Sequence, residues 1–183
     1  MKKWAILCLA LLPLSVATRG PAEKRQPKIL VGEMAPNLPL EGDKNGATLA
    51  TFRGHPVLIH LWATWCGPCM ESMPDFIRLV NSFHGSDLVV LMMDRDHNPI
   101  DAHFYLLKNG ITWPAYHDTG RFMKDFGGSG IPSTALIDRD GIVRYHHTGE
   151  GLSAKTEGKL KNAIASALAR KVGAPAGADD TQP

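Results

Sequence analysis

Cys66-Gly67-Pro68-Cys69 sets two thiols three positions apart, directly after Trp65. Thiols so spaced can hold a metal, anchor a haem, or open and close as a disulfide. A structural zinc needs four ligands, and the chain has no second cysteine pair. Its histidines lack a metal-like spacing, and the adjacent His146 and His147 fall on a predicted strand, where they point to opposite faces. Haem attachment needs His after the second cysteine, where Met70 stands. As a staple the pair is poorly placed: closing so short a loop gains roughly 2 kcal/mol, against about 4.7 for a loop of about 100 residues. A reversible redox couple fits best.

Such a couple needs one sulfur kept reactive and the other within reach. Val57 to Ala63 is a nearly continuous apolar run behind Pro56, the pattern of a strand covered on both faces. A helix is predicted from Cys66 to about Phe83, with Phe76, Leu79, Val80 and Phe83 at helical spacing, Gly85 as a stop, and Pro74 expected to kink it. Cys66 then falls where the helix begins, beside backbone N–H groups without intrahelical partners. Negative charge there is favoured by about 0.3–1 kcal/mol, up to ~2 when partly buried. That lowers the thiol's pKa and makes Cys66 the nucleophile. Cys69 lies on the same side of the first turn, placed to resolve a mixed disulfide formed by Cys66.

The rest of the chain supplies a layered α/β domain with a mixed sheet. Leu38-Pro39-Leu40 and Thr48-Leu49 flank Asn45-Gly46, which predicts a short hairpin. Leu88 to Met93 is a second buried strand, whose Met92 and Met93 read as core rather than copper ligands. Asn98-Pro99 opens a helix running to Gly110. Trp113 to Tyr116 is a weaker strand, and Arg121 to Phe126 a short helix. Gly127-Gly128-Ser129-Gly130 lacks the Lys-Ser/Thr of a phosphate loop and precedes a strand. Ser133 to Ile137 and Ile142 to His147 alternate and are joined by Asp140-Gly141, a hairpin signal. The last helix, about Lys155 to Arg170, carries Leu160, Ala163, Ile164, Ala167 and Leu168 on one face.

The 183 residues suffice for one domain. Residues 1–17 read as a secretory leader: Lys2 and Lys3, an apolar stretch from Trp4 to Leu14, and small residues offering cleavage near Ala17. The alternative, an uncleaved anchor, needs roughly 20 apolar residues, and this run is shorter and contains Pro13. Cys8 leaves with the leader, so Cys66 and Cys69 remain alone. Without Lys2 and Lys3, 18 Lys and Arg balance 18 Asp and Glu. No basic excess is left to favour a nucleic-acid partner. Residues 18–30 read as a linker, 31–170 as the folded domain, and 171–183 as a disordered tail.

Trp62-Ala63-Thr64-Trp65-Cys66-Gly67-Pro68-Cys69 resembles the thioredoxin superfamily signature. Gly32-x-x-Ala35-Pro36, followed by Leu49-x-x-Phe52-Arg53-Gly54-His55-Pro56-Val57, is similar to the exported TlpA/ResA-type (DsbE-like) branch. The resemblance covers about Val31 to Leu168. It implies a thioredoxin-like three-layer fold with an N-terminal hairpin and an insertion after the second strand. It implies a thiol–disulfide oxidoreductase needing no cofactor beyond the Cys66–Cys69 disulfide. Gly67 and Pro68 between the cysteines support the site, with Trp65 covering it and Trp62 behind. Ile131-Pro132 becomes an expected cis bond against the cysteine pair, with the Ile131 backbone pairing with substrate peptide.

Two positions depart from the family. Thioredoxins usually carry a buried Asp six positions before the first cysteine, where His60 stands; relatives of the branch often have Glu where Ser72 stands, with Glu71 beside it. Two readings of His60 follow: a proton acceptor at the buried thiol, or a neutral core histidine bonded elsewhere. The resemblance implies a reductase of exported, periplasmic protein disulfides, including apocytochrome c thiols before haem attachment. A membrane thiol donor of DsbD/CcdA type would recharge it. The alternatives are an oxidase or isomerase of the same fold, or a copper(I)-binding module, although copper carriers of related fold resemble a wider cysteine spacing with a committed His.

Overall fold

The computed structural model describes residues 31–149 and 151–174. The leader, the linker and most of the expected tail lie outside the described residues. Five strands form one mixed sheet: β1 (Val57–Trp62), β2 (Val89–Asp94), β3 (Ala115–His117), β4 (Ser133–Ile137) and β5 (Val143–Thr148). Their order is β3-β2-β1-β4-β5. β1 runs parallel to β2, and β2 to β3, while β4 is antiparallel to both β1 and β5. The helices are α1 (Gly67–Asn81), α2 (Pro99–Lys108), α3 (Arg121–Phe126) and α4 (Ala154–Ala169).

β1 is central, and its alternation divides the core into two. Leu58 and Trp62 face a layer that includes Met73 and Phe76 of α1, Leu106 of α2 and Leu160 and Ile164 of α4. Val57, Ile59 and Leu61 face Phe122 and Phe126 of α3, together with Ala35, Leu38, Leu40 and Leu49 from the N-terminal segment. All six residues of β1 are buried, as expected for a strand covered on both sides. Met92 and Met93 are likewise core, one in each layer.

Local chemistry sets the boundaries. Asn98 caps α2 by accepting from the Ile100 N–H at 3.2 Å, and Ser153 caps α4 by accepting from the Thr156 N–H at 3.3 Å. β3 starts two residues later than its sequence pattern implies: Pro114 has no N–H for the ladder and contributes only its carbonyl, to the Met92 N–H at 2.9 Å. α1 spans Pro74 as one helix. The expected N-terminal hairpin is a single bridge, Pro39 to Thr48, flanked by bonds from Leu40 N–H to the Ala47 carbonyl and Leu49 N–H to the Leu38 carbonyl. A 3-10 turn at Leu49–Phe52 ends the pairing. No helix among the described residues is long and apolar enough to cross a membrane.

Phe76 ties α1 to the sheet. Its fully buried ring stacks on His60 of β1 at 4.0 Å between centroids and meets the Trp113 ring edge-on at 6.1 Å. Phe76→Ala is expected to lower the unfolding free energy by about 3–5 kcal/mol in urea titration; a loss under about 1 kcal/mol would mean other contacts hold α1.

Candidate active site

Between β1 and α1 the chain makes one turn, closed by a bond from the Cys66 N–H to the Ala63 carbonyl at 3.2 Å. Cys66 is the N-cap of α1: its backbone is extended, and Gly67 and Pro68 start the helix, where proline's missing N–H costs nothing. Its sulfur accepts from the Cys69 N–H at 3.3 Å. A cap sulfur takes the place that a Ser or Asp oxygen usually fills, so the helix start favours the thiolate in the reduced protein. Cys66 and Cys69 are disulfide-bonded, their Cα atoms 5.2 Å apart. Cys69 is fully buried, whereas Cys66 retains 5% of its surface beside exposed Gly67 and Pro68. Cys66 is thus the less enclosed of the pair.

Trp65 is 58% exposed, its indole N–H on the Arg95 carbonyl at 3.3 Å and its ring stacked near His97 at 6.2 Å. Trp62 is fully buried in the layer beneath. The Ile131–Pro132 bond is cis. Ser133 pairs with Leu61, which brings Pro132 to the end of β1 where the Ala63–Cys66 turn begins. The connection after β5 joins the two: the Gly149 N–H donates to the Pro132 carbonyl at 2.9 Å, and Gly151 packs on the first turn of α1.

The two departures have distinct surroundings. His60 is buried, with Nδ1 and the Thr134 hydroxyl 2.9 Å apart; its Nε2 has no hydrogen-bond partner among the described residues. Desolvation by burial lowers its pKa to about 3, so the ring is neutral. The Ser72 hydroxyl donates to the Pro68 carbonyl at 2.8 Å. A Cβ on Gly151 would stand 2.7 Å from the Ser72 Cβ. Position 151 thus takes only glycine while Ser72 keeps its place.

Sequence reasoning missed the partners of the turn itself. Asp96, just beyond β2, is buried and accepts from the Thr64 N–H at 3.0 Å and the Thr64 hydroxyl at 2.6 Å. The available signal was an acid pair, Asp94 and Asp96, at the carboxyl end of a buried parallel strand, where α/β sheets gather their sites. His146 lies on the opposite face from His147, its Nε2 3.4 Å from the Ser133 hydroxyl. No group of three or more His, Cys, Asp or Glu among the described residues is placed to hold a metal ion.

The neutral His60 predicts a pH dependence of stability. Unfolded, it binds a proton near its ordinary value of 6.5; folded, only near 3. Between those limits the unfolded state holds more protons, so stability falls as pH drops through that window. From about pH 7.5 to about pH 5 the expected loss is about 2 kcal/mol, at 1.36 kcal/mol per pKa unit. His146, also lowered by its burial and by His147, adds in the same direction. His60→Asn should flatten most of the slope in urea titrations across this range; an unchanged slope would contradict the buried neutral ring.

Comparison with known proteins gives one answer. The Redoxin family model matches residues 30–164. The thiol-disulfide oxidoreductase ResA of Bacillus thuringiensis (strain Al Hakam) is 30% identical over 138 residues, which cover 73% of this chain and 79% of ResA. The thiol:disulfide interchange protein DsbE of Tatumella citrea is 32% identical over 127 residues, covering 66% of each. Among solved structures, a DsbE-type thiol:disulfide interchange protein from Chlorobium tepidum superposes with a TM-score of 0.66 at 30% identity, covering 77% of this chain and 99% of that one. A closed disulfide capping a helix beside a cis-proline, on a mixed five-stranded sheet, agrees with each of these likenesses. The chain belongs to the Redoxin family of the thioredoxin superfamily, as a thiol–disulfide oxidoreductase of ResA/DsbE type.

Proposed function

We propose that this oxidoreductase is exported and runs as a reductase of protein disulfides, with Cys66 attacking and Cys69 resolving. The observation that carries the assignment is the Cys66 sulfur at the N-cap of α1, beside exposed Gly67 and Pro68, while its partner is fully buried. The Cys66 thiolate attacks one sulfur of a substrate disulfide. A mixed disulfide forms, and the first substrate sulfur leaves as thiolate. Cys69 then loses its proton and attacks Cys66, closing the Cys66–Cys69 bond and releasing the second substrate thiolate. Two electrons pass to the substrate, and no cofactor beyond the disulfide is required.

The Cys69 proton passes to the departing substrate thiolate. His60 keeps to the core: it is neutral, stacks on Phe76 and bonds to Thr134. Ile131 and Pro132 precede β4 at the end of β1 that leads to Cys66, and the Ile131 backbone is assigned to pairing with an extended substrate segment. Export rests on the apolar leader at residues 1–17. In an oxidising compartment a reductant must be recharged, for which a membrane thiol donor of DsbD/CcdA type is suited. Apocytochrome c before haem attachment is a substrate that fits.

The Gly-Pro pair between the cysteines supports the reducing direction, since thioredoxin with the same pair has a potential of about −270 mV and DsbA about −120 mV. Equilibration with glutathione is expected to give a value near thioredoxin's; one above about −150 mV would make the protein an oxidase. Cys66→Ser should abolish reduction of a model protein disulfide, and retained turnover would refute the mechanism. His60→Asn should leave both the first attack and the resolution of a trapped mixed disulfide unchanged. A resolution rate slowed about tenfold or more, the low side of general-base effects, would bring His60 into the chemistry.

A further inference from the structure

Both central residues of the turn that delivers Cys66 are held by the two residues following β2. Trp65 donates its indole N–H to the Arg95 carbonyl, and Thr64 donates its backbone N–H and its hydroxyl to the Asp96 carboxylate. The Arg95 N–H in turn donates to the Trp62 carbonyl at 2.9 Å, so the contact continues the β1–β2 ladder past the end of both strands. Thr64 and Cys66 are two residues apart within one closed turn, which limits their Cα separation to about 7.6 Å.

The surroundings of Asp96 are sparse in compensating charge. Its N–H donates to Asp94 Oδ1 at 3.2 Å, and the same oxygen is 3.0 Å from His117 Nδ1. Burial pushes the Asp94 carboxyl up from its ordinary value, against the pull of His117. Arg95 directs its guanidinium to the buried Asp118, 3.1 Å away, and His97 lies over Trp65. Among the described residues no cation is paired with Asp96, whose bonds come from neutral donors.

We propose that Asp96 is a positioning residue that fixes the Cys66 turn through Thr64 and, by its buried charge, sets the reduction potential of the Cys66–Cys69 couple. The inference rests on the redox function assigned to that couple and concerns its direction. Reduction by two glutathione molecules breaks the Cys66–Cys69 bond and forms glutathione disulfide; one of their two protons goes to Cys69, the other to solvent, and Cys66 is left as thiolate. A buried carboxylate bonded to Thr64, two residues before Cys66, disfavours that thiolate, and so disfavours the reduced form. The reduced protein then gives up its electrons more readily. DsbA shows the opposite sense, being a strong oxidant because its reduced form is stabilised.

Two variants of the full-length protein test this, each read by glutathione equilibrium and by thiolate absorbance of Cys66 against pH. Asp96→Asn keeps an acceptor for Thr64 and removes the charge. It is expected to shift the equilibrium about tenfold toward the dithiol, about 30 mV less reducing, and to lower the Cys66 pKa. Thr64→Val keeps the charge and the amide bond but removes the hydroxyl donor that partly neutralises it, so its shifts should run the other way, with Thr64→Ser restoring wild-type values. If the wild-type protein has no reversible couple, the functional assignment fails as well. If it titrates normally while Asp96→Asn, or Thr64→Val should Asp96→Asn not fold, matches it in both readouts, the role of Asp96 alone is overturned.

Discussion

A thiolate at the edge of a protein core exists only where something answers its charge, and here that something is the open end of a helix. Cys66 occupies the position where a sulfur caps α1, beside exposed Gly67 and Pro68. The cap works because α1 begins immediately after a strand buried on both faces, which prevents the helix start from drifting. Movement of β1 would displace the Ala63–Cys66 turn, and with it the alignment of the sulfur with the Cys69 N–H. The core on either side of β1 is thus part of the redox site's geometry, although none of its apolar side chains reacts.

Much of this was legible in the chain itself, because the relevant signals are local. The run from Val57 to Ala63 marked the buried strand, the Cys66-Gly67-Pro68-Cys69 motif marked the helix start, and Asp140-Gly141 marked the β4–β5 turn. Each depends on neighbours within a few residues. The cis Ile131–Pro132 bond came from family resemblance, since X-Pro bonds are cis in only about 5–6% of cases.

What stayed hidden involves side chains that meet across long stretches of sequence. Asp96 lies 32 residues from Thr64, and Thr134 lies 74 from His60. Nothing near Thr64 announces that a carboxylate will grip it; the contact exists because β1 and β2 run parallel and end together. The surroundings of His60 were equally illegible. Periodicity could say that it faces the core, but only the β1–β4 register supplies the hydroxyl opposite it. The late start of β3 follows from Pro114, a local cause whose weight depended on which strand it would pair with.

The close packing of Gly151 on Ser72 carries a consequence for how this branch of the family can diversify. Any side chain introduced at position 151 would collide with Ser72 on α1. The two positions are therefore coupled, and bulk added after β5 has to be matched by a change on the helix. The same connection bonds to Pro132, so a change there reaches the cis-proline as well as α1.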